Sequence, residues 1–342
     1  MYPRAPYRAA LRLLTVAAIT ASSVLFPLFV RAEMATQLPP VNAFIDEVAI
    51  RDGFPVAALH ALFDQVVLRP EIIEAITRPA EAKPWFEYRS LFLSPSRVEG
   101  GVAFWRANKE ALALAEARYG VDPAVIVAIL GVETRYGAKT GNYRVLEALT
   151  TLAFQYPRRA PFFREQLEAY LLLTHSEGID PLLPKGSYAG AMGVPQFMPT
   201  SFRDFAVDFD GDGHRDLWSN PVDSIGSVAN YLNRHGWQPH EPVAVSVDLG
   251  GMFDPAPLLG GLDQKPNLPL DKFRSLGLRP ADAIAGNPMA TLLRLDGPTS
   301  PEYWLCFENF YVITRYNHSP LYAMAVHELA REVAAGINNG KK

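Results

Sequence analysis

The most constraining feature of the sequence is an apolar segment, VDPAVIVAILGVETRYG, at residues 121–137. Asp122 is a typical helix N-cap, Pro123 suits the first helical position and Gly137 is a common stop signal. The helix predicted between them is the most apolar one after residue 32, so a stable fold must pack other elements around it.

One carboxylate, Glu133, lies in this apolar helix. It follows Leu130, Ile129 and Ile126 by three, four and seven residues, and these spacings put the four side chains on one helix face. Apolar surroundings disfavour the ionised form and raise the pKa, as a general acid near neutral pH requires. The alternatives are a structural glutamate paired with an arginine, or one that faces water at the helix end.

The rest of the pattern predicts an α+β fold that is predominantly α. Apolar residues recur at helical spacing, with Gly or Pro at the breaks, up to about residue 119. Further helices are predicted at Arg144–Phe154, Ala160–Ser176 and Pro221–His235. The stretch Leu183–Thr200 is rich in Gly, Pro and Ser, which predicts an ordered loop of the kind that often carries function.

A change of pattern after about residue 241 predicts a small antiparallel sheet. The runs VAVSVDLGG and ATLLRLDG are separated by Gly- and Pro-rich turns, whereas the later aromatic segment YWLCFENFYVITRYNHS fits a strand or an extended loop. The predicted regions are a helical domain at 39–119, a core at 120–240, a small β domain at 241–296, and a C-terminal aromatic segment and helix at 297–342.

Residues 1–32 are expected to be an export signal. Three arginines precede an apolar run from Leu13 to Val30, and a small-residue exit follows. Because the run is 18 residues long, an uncleaved N-terminal anchor is the alternative. The single cysteine, Cys306, lies far from this run, which argues against a lipoprotein and against an internal disulfide.

The charge balance argues against a nucleic-acid partner. Residues 1–32 contain four arginines and no acid, so the rest of the chain keeps 28 basic against 36 acidic residues. Nucleic-acid binding requires a basic surface, which this balance does not favour.

The loop KGSYAGAMGVPQFMPTSF has the composition of a site for an amphipathic ligand. Its glycines permit close backbone approach, and Ser187, Gln196 and Phe197 supply a hydroxyl, an amide and a ring. A sugar, with hydroxyls at its edge and C–H groups on its faces, suits such a mixture. The alternative is a tight structural loop that buries Met192, Met198 and Phe197.

The segment DFDGDGHRDLWSNPVD at 208–223 has the spacing of a calcium-binding loop of the EF-hand kind. Asp208, Asp210 and Asp212 occupy positions 1, 3 and 5, a glycine occupies position 6, and His214 at position 7 would use its backbone carbonyl. Three carboxylates at alternate positions repel one another unless a cation lies among them.

The loop departs from the usual pattern at position 12, where Ser219 replaces a bidentate glutamate. We therefore expect weak binding, or a last ligand from Asn220 or Asp223, of which we favour Asp223. The oxygen donors argue against zinc or redox chemistry, so the expected ion is a structural Ca²⁺.

A further set of side chains could line a sugar groove: Tyr88, Tyr316, Asn317 and Tyr322. Aromatic residues at this density are more often part of the core. Arg158 and Arg159 could hold a carboxylate of a ligand, although adjacent arginines usually face solvent.

Six segments, GVETRYG, TLAFQYPRRA, KGSYAGAMGVPQFMP, DFDGDGHRDLW, IGSVANYLNRHGW and ITRYNHSPLYAMAV, resemble in this order the lytic murein transglycosylase B family. The resemblance covers nearly the whole chain after residue 32. It implies a lysozyme-like core with an inserted EF-hand-like calcium loop, a helical domain and a small β domain that together form a groove for peptidoglycan glycan strands.

The resemblance also implies roles for particular residues. Glu133 matches the catalytic acid/base, and Ser187 and Gln196 match groove residues near the N-acetyl group of the cleaved muramic acid. The other implied groove residues are Tyr88, Tyr316, Asn317 and Tyr322, together with Met192, Phe197, Arg158 and Arg159.

The implied reaction is a non-hydrolytic cleavage that leaves 1,6-anhydro-N-acetylmuramic acid ends, with no organic cofactor. The alternatives are a hydrolytic muramidase of the same fold and a glycan-binding protein without catalysis. The expected protein is a periplasmic monomer, and contacts with other cell-wall enzymes are left open.

Overall fold

A computed structural model describes residues 33–77, 83–249, 254–261 and 264–339 of the chain. The export signal expected at 1–32 lies outside these residues. Within the described ranges, no helix combines the length and the hydrophobicity that a membrane crossing requires.

Fourteen helices and seven strands form the part of the chain that the structure describes. The helices are α1 (Pro39–Asp52), α2 (Val56–Phe63), α3 (Pro70–Thr77), α4 (Trp85–Ser90), α5 (Pro95–Ala107), α6 (Lys109–Tyr119), α7 (Pro123–Thr134), α8 (Val145–Gln155), α9 (Ala160–Ser176), α10 (Pro199–Phe205), α11 (Pro221–Arg234), α12 (Leu270–Ser275), α13 (Glu308–Tyr316) and α14 (Pro320–Asn339). The strands are β1 (Tyr143–Arg144), β2 (Lys185–Gly186), β3 (Ala244–Asp248), β4 (Leu268–Pro269), β5 (Arg279–Pro280), β6 (Met289–Asp296) and β7 (Pro301–Cys306). Single 3-10 turns lie at Ala35–Gln37, Pro157–Arg159 and Ala256–Leu258. The predicted α+β class, predominantly α, is confirmed.

The apolar helix α7 is the centre of the larger core, as predicted. Helices α5, α6, α11 and α14 pack around it, and nearly all of its residues are buried. Its start is the predicted one, because the Asp122 carboxylate accepts a hydrogen bond from the Ala124 amide and Pro123 is the first helical residue. It ends at Thr134, three residues before Gly137.

The small sheet is antiparallel throughout, with the strand order β4-β6-β7-β3-β5. It has a core of its own that includes Leu292, Leu305 and Phe273. The sheet continues past the predicted boundary at residue 296, because all six residues of β7 pair with β6. A short turn at 297–300 joins the two strands into a hairpin, so the boundary was placed one strand too early.

The aromatic segment after the sheet was only partly predicted. Its beginning is strand β7, but Glu308–Tyr316 is helix α13 rather than strand or extended loop. Phe310 and Ile313 are three residues apart and both are fully buried. Burial of this helical face therefore outweighs the strand preference of the β-branched and aromatic residues.

Candidate functional site

The Glu133 carboxyl lies at the last turn of α7 and contacts α14. The Tyr322 hydroxyl donates a hydrogen bond of 2.7 Å to Oε1 of Glu133. Tyr322 lies near the start of α14 and is 2% exposed, whereas Glu133 is half-buried. The carboxyl is thus held by a buried phenol and keeps some access from outside.

Burial dominates the electrostatics of this carboxyl. It raises the pKa of Glu133 from 4.5 to about 7, and the hydrogen bond from Tyr322 opposes this rise because it favours the ionised form. Burial also raises the pKa of Tyr322 well above its usual value, with a further contribution from nearby Glu133. Tyr322 therefore remains a hydrogen-bond donor near neutral pH, while Glu133 can gain or lose a proton there.

The backbone directly after Glu133 turns away sharply. Arg135 and Tyr136 both have left-handed backbone conformations, with φ of 52° and 60°, which explains why α7 ends before Gly137. Thr134 joins this turn to the predicted loop, because its hydroxyl donates to the Val194 carbonyl at 2.8 Å and accepts from the Gly137 amide at 3.0 Å.

A second hydrogen bond holds the same loop beside the carboxyl. The Tyr316 hydroxyl donates to the Pro195 carbonyl at 2.6 Å, and the Tyr316 ring is parallel to the Tyr322 ring at 6.4 Å. The hydrogen bonds to the Val194 and Pro195 carbonyls restrain the backbone of the loop directly before Gln196.

Gln196 and Ser187, two of the predicted groove residues, are both anchored by hydrogen bonds to backbone groups. Gln196 has a left-handed backbone, with φ of 53°, and its amide nitrogen donates to the carbonyls of Thr140 at 3.0 Å and Gly193 at 2.9 Å. Its amide oxygen is therefore the atom that could accept from a ligand. The Ser187 hydroxyl accepts from the Ala191 amide at 3.0 Å, so its own proton is the group that it could donate.

Met192 and Phe197 do not line an open groove, contrary to the prediction that they contact substrate. Met192 is 0% and Phe197 2% exposed, and their backbone groups exchange hydrogen bonds of 2.8 and 3.1 Å that close the loop. The Phe197 ring packs against Tyr316 at 5.9 Å. These two buried side chains pack in the core and stabilise the loop, as expected for the alternative of a tight structural loop.

Two further predicted groove residues, Tyr88 and Asn317, lie near Tyr322 and directly after Tyr316, respectively. Tyr88 is close enough to Tyr322 to raise its pKa, and it packs against Phe92 at 5.1 Å between ring centroids. Asn317 is exposed and directly follows Tyr316 at the end of α13.

Arg158 and Arg159 are exposed at the turn between α8 and α9. The Arg159 guanidinium lies 4.1 Å from the centre of the Phe162 ring. No hydrogen bond or ion pair joins either arginine to Glu133 within the described residues, so their predicted contact with substrate stays a prediction.

The predicted calcium loop brings its three carboxylates together. One oxygen each from Asp208, Asp210 and Asp212 lies within 4.8 Å of the others. Backbone amides donate to Asp208, led by Gly213, and they lower its pKa. The three oxygen donors fit a Ca²⁺ ion. His214 is exposed, and its imidazole is not needed for the expected carbonyl contact.

Asp223 and Asn220 both brace this loop. Asp223 is fully buried, and its two oxygens accept hydrogen bonds of 2.8 Å from the amides of Phe209 and Asp216. Asn220 caps α11 with its amide oxygen and donates to Asp210 at 2.8 Å. Asp223 lies outside the group of three close carboxylates. Its role as the last calcium ligand stays a prediction.

The predicted calcium loop is joined directly to the glycine-rich loop. The Val194 amide donates to the Leu217 carbonyl at 2.7 Å, and the Trp218 indole donates to the Lys185 carbonyl at 3.1 Å. The sequence prediction missed these contacts and that of Thr134. It also missed Tyr231, whose ring packs against Tyr316 at 4.8 Å. The helical spacing of α11 could have placed Tyr231 on a buried face, but its partners are distant in sequence.

Comparisons with known proteins agree with this arrangement. The profile of the Transglycosylase SLT domain family matches residues 37–331. The membrane-bound lytic murein transglycosylase B of Escherichia coli (strain K12) is 42% identical over 314 residues, which are 86% of this chain and 83% of that protein.

Two solved structures are similar to this chain in both fold and sequence. The lytic transglycosylase SltB1 from Pseudomonas aeruginosa, in its catenated form, is 48% identical with a TM-score of 0.82, and the match covers 88% of this chain and 98% of that chain. The Escherichia coli lytic transglycosylase Slt35 in complex with calcium is 42% identical with a TM-score of 0.79, over 91% of this chain and 95% of that chain. These matches confirm the resemblance found in the sequence. Because the family profile spans most of the chain, this protein belongs to the Transglycosylase SLT domain family.

Proposed function

We propose that this protein is a peptidoglycan lytic transglycosylase that cleaves the β-1,4 bond between N-acetylmuramic acid and N-acetylglucosamine without water. Its family and its similarity to a lytic murein transglycosylase support this activity. The observation that carries the mechanism is the half-buried Glu133 carboxyl, whose pKa is raised to about 7 and which one phenol holds in place.

Glu133 acts first as the general acid. Its proton passes to the glycosidic oxygen as the bond from that oxygen to C1 of the muramic acid breaks. The carbonyl oxygen of the neighbouring N-acetyl group forms a bond to C1 and gives an oxazolinium ion. The Ser187 hydroxyl donates to the N-acetyl group and orients it, and the Gln196 amide oxygen accepts from the sugar.

Glu133 acts next as the general base. It is now a carboxylate, stabilised by the hydrogen bond from Tyr322, and it takes the proton of the C6 hydroxyl. The C6 oxygen attacks C1, the oxazolinium ring reopens and an anhydro end is released. Glu133 regains its proton, so no water is consumed.

The surroundings of Glu133 favour this one-carboxylate route. Most glycosidases use two carboxylates, whereas substrate-assisted enzymes use the acetamido group as the nucleophile. Among the residues that the structure describes, no second carboxylate contributes to the Glu133 pKa, and Tyr322 is the one side chain that does. The nearby tyrosines supply neutral contacts rather than a second acid.

Calcium has a structural role in this proposal. Asp208, Asp210 and Asp212 would hold the ion, with the His214 carbonyl and Asp223 as further candidates, and the similarity to a transglycosylase solved with calcium supports this. The ion would neutralise the repulsion among the carboxylates and take no part in the reaction. The enzyme would act in the periplasm after export.

The test is mass spectrometry of fragments released from purified peptidoglycan. We expect the wild-type protein to release fragments one water lighter than hydrolytic fragments. The variant Glu133→Gln should fold, bind glycan and release none, whereas Glu110→Gln, at an exposed position of α6, should behave as the wild type. Reducing-end products would identify a hydrolase, and substantial turnover by Glu133→Gln would remove Glu133 from the mechanism.

A further inference from the structure

Arg97 of α5 is a buried arginine with no acidic partner among the described residues. It is 7% exposed, and burial is the main cause that lowers its pKa. Its guanidinium donates to backbone carbonyls instead. Nη1 donates to Gly131 at 2.6 Å and Nη2 donates to Leu91 at 3.2 Å. A buried charge without a countercharge is costly, which points to a role beyond packing.

The two carbonyls belong to separate parts of the site. Gly131 lies two residues before Glu133, in the last turn of α7. Leu91 follows α4 and precedes Phe92, whose ring lies 5.1 Å from the Arg97 guanidinium and packs against Tyr88. Arg97 therefore ties the end of the helix that carries Glu133 to the segment that carries Tyr88.

The same residue also fixes the turn after Glu133. The Tyr136 hydroxyl donates to the Arg97 carbonyl at 2.8 Å, while the Tyr136 backbone is left-handed. The Tyr136 ring lies where a side chain on Gly131 or Gly101 would be, because a Cβ on either glycine would approach the phenol oxygen to 2.6 Å. Contacts to Arg97 thus lie both before and after the carboxyl in sequence.

We propose that Arg97 is a positioning residue that holds the last turn of α7, and with it the Glu133 carboxyl, in the geometry that proton transfer requires. The proposal rests on the proposed function of Glu133. Arg97 does not touch the substrate. Its effect is on the placement of the acid, and a small displacement of a catalytic group can cost on the order of 100-fold in rate.

The test is steady-state kinetics of the full chain on a soluble glycan strand, with product masses measured in parallel. We expect Arg97→Met to lower kcat by on the order of 100-fold and to leave KM within about threefold. Arg97→Lys, which keeps one donor for a carbonyl, should recover part of kcat. Tyr136→Phe removes one hydrogen bond and little volume, so it should lower kcat about fivefold even if Arg97→Met does not fold.

Arg274→Met is a control for the loss of an arginine outside the site, at an exposed position where the guanidinium also pairs with Asp271 at 3.0 Å. Arg274 lies in α12 beside the small sheet and also donates to two carbonyls, those of Ile284 at 2.9 Å and Gly286 at 3.3 Å. This control should keep the wild-type kcat. A folded Arg97→Met with wild-type kcat, a change confined to KM, or an Arg97→Lys as slow as Arg97→Met would each overturn the proposal, as would a Tyr136→Phe with wild-type kcat.

The two proposals can fail separately. The wild type and Glu133→Gln are measured first, and turnover by Glu133→Gln would refute the proposed function whatever the Arg97 variants do. If Glu133→Gln is inactive and the wild type gives anhydro products, the kinetics of the Arg97 variants test the positioning role alone.

Discussion

Replacing Tyr322 with phenylalanine should raise the pKa of Glu133. The phenol is the one group that lowers this pKa, through its 2.7 Å hydrogen bond to Oε1, while burial raises it to about 7. A hydrogen bond to a charged acceptor contributes about 1.5–3 kcal/mol and one to a neutral acceptor about 1 kcal/mol. Tyr322→Phe therefore costs the ionised form about 0.5–2 kcal/mol relative to the protonated form.

One pKa unit corresponds to about 1.4 kcal/mol, so the pKa of Glu133 should rise by about one unit, to roughly 8. The protonated carboxyl is the form that starts the reaction, and the pH dependence of kcat/KM reports the free enzyme. In the wild type, kcat/KM should be high below pH 7 and fall as the pH rises through about 7. In Tyr322→Phe the fall in kcat/KM should occur about one pH unit higher.

The assay is the initial rate of fragment release at low substrate concentration across this pH range, with circular dichroism to confirm folding. Tyr303→Phe is a suitable control, since Tyr303 lies in β7 and packs with the separate core of the small sheet. A fall at the same pH in the wild type and Tyr322→Phe, or one that moves to lower pH, would refute the electrostatic role of Tyr322.

Three further predictions concern stability. The pKa of Glu133 is about 7 in the folded protein against an ordinary value of 4.5, so the wild type loses up to about 3 kcal/mol of stability as the pH rises from 4.5 through 7. The Tm of Glu133→Gln should therefore exceed that of the wild type by more at pH 8 than at pH 5. A difference in Tm that is the same at both pH values would contradict this. Phe197→Ala should cost about 3–5 kcal/mol in urea unfolding, because the ring is fully buried, and a cost below about 1 kcal/mol would contradict that account of the residue. Added Ca²⁺ should raise the Tm of the wild type but not of Asp210→Ala, and equal calcium responses would contradict the predicted role of Asp210. Asp223→Ala should destabilise the protein even in a chelator, because Asp223 accepts hydrogen bonds from two backbone amides and these need no metal. An Asp223→Ala effect that the chelator abolishes would contradict this role.

Much of the fold followed from local patterns. The central helix α7, its Asp122 cap and the helices near 144, 160 and 221 were predicted because their apolar spacing and end signals are contained in short segments. The end of α7 was placed too late, since Arg135 and Tyr136 take a backbone conformation that their residue types rarely adopt. Tyr136 contacts Arg97 and Phe104 of α5 in this conformation, and no local pattern reports such contacts.

Only part of the site could be predicted from local sequence patterns. The helical spacing correctly placed Glu133 beside apolar residues, but its partner Tyr322 lies 189 residues later, and only the family resemblance connected the two. Met192 and Phe197 carry side chains that suit either a sugar or a core, and composition alone cannot decide between them. Arg97 left no signal at all, because its importance comes from carbonyls that every residue possesses.

The most direct test of the central claim is cleavage of peptidoglycan in water enriched in a heavy oxygen isotope, followed by mass spectrometry of the new sugar ends. A lyase that closes the C6 oxygen onto C1 takes no oxygen from solvent, so the proposed reaction predicts anhydro ends without the label. Labelled reducing ends formed at the rate of total cleavage would show that water attacks C1, and the account of Glu133 as the base for the C6 hydroxyl would then be wrong.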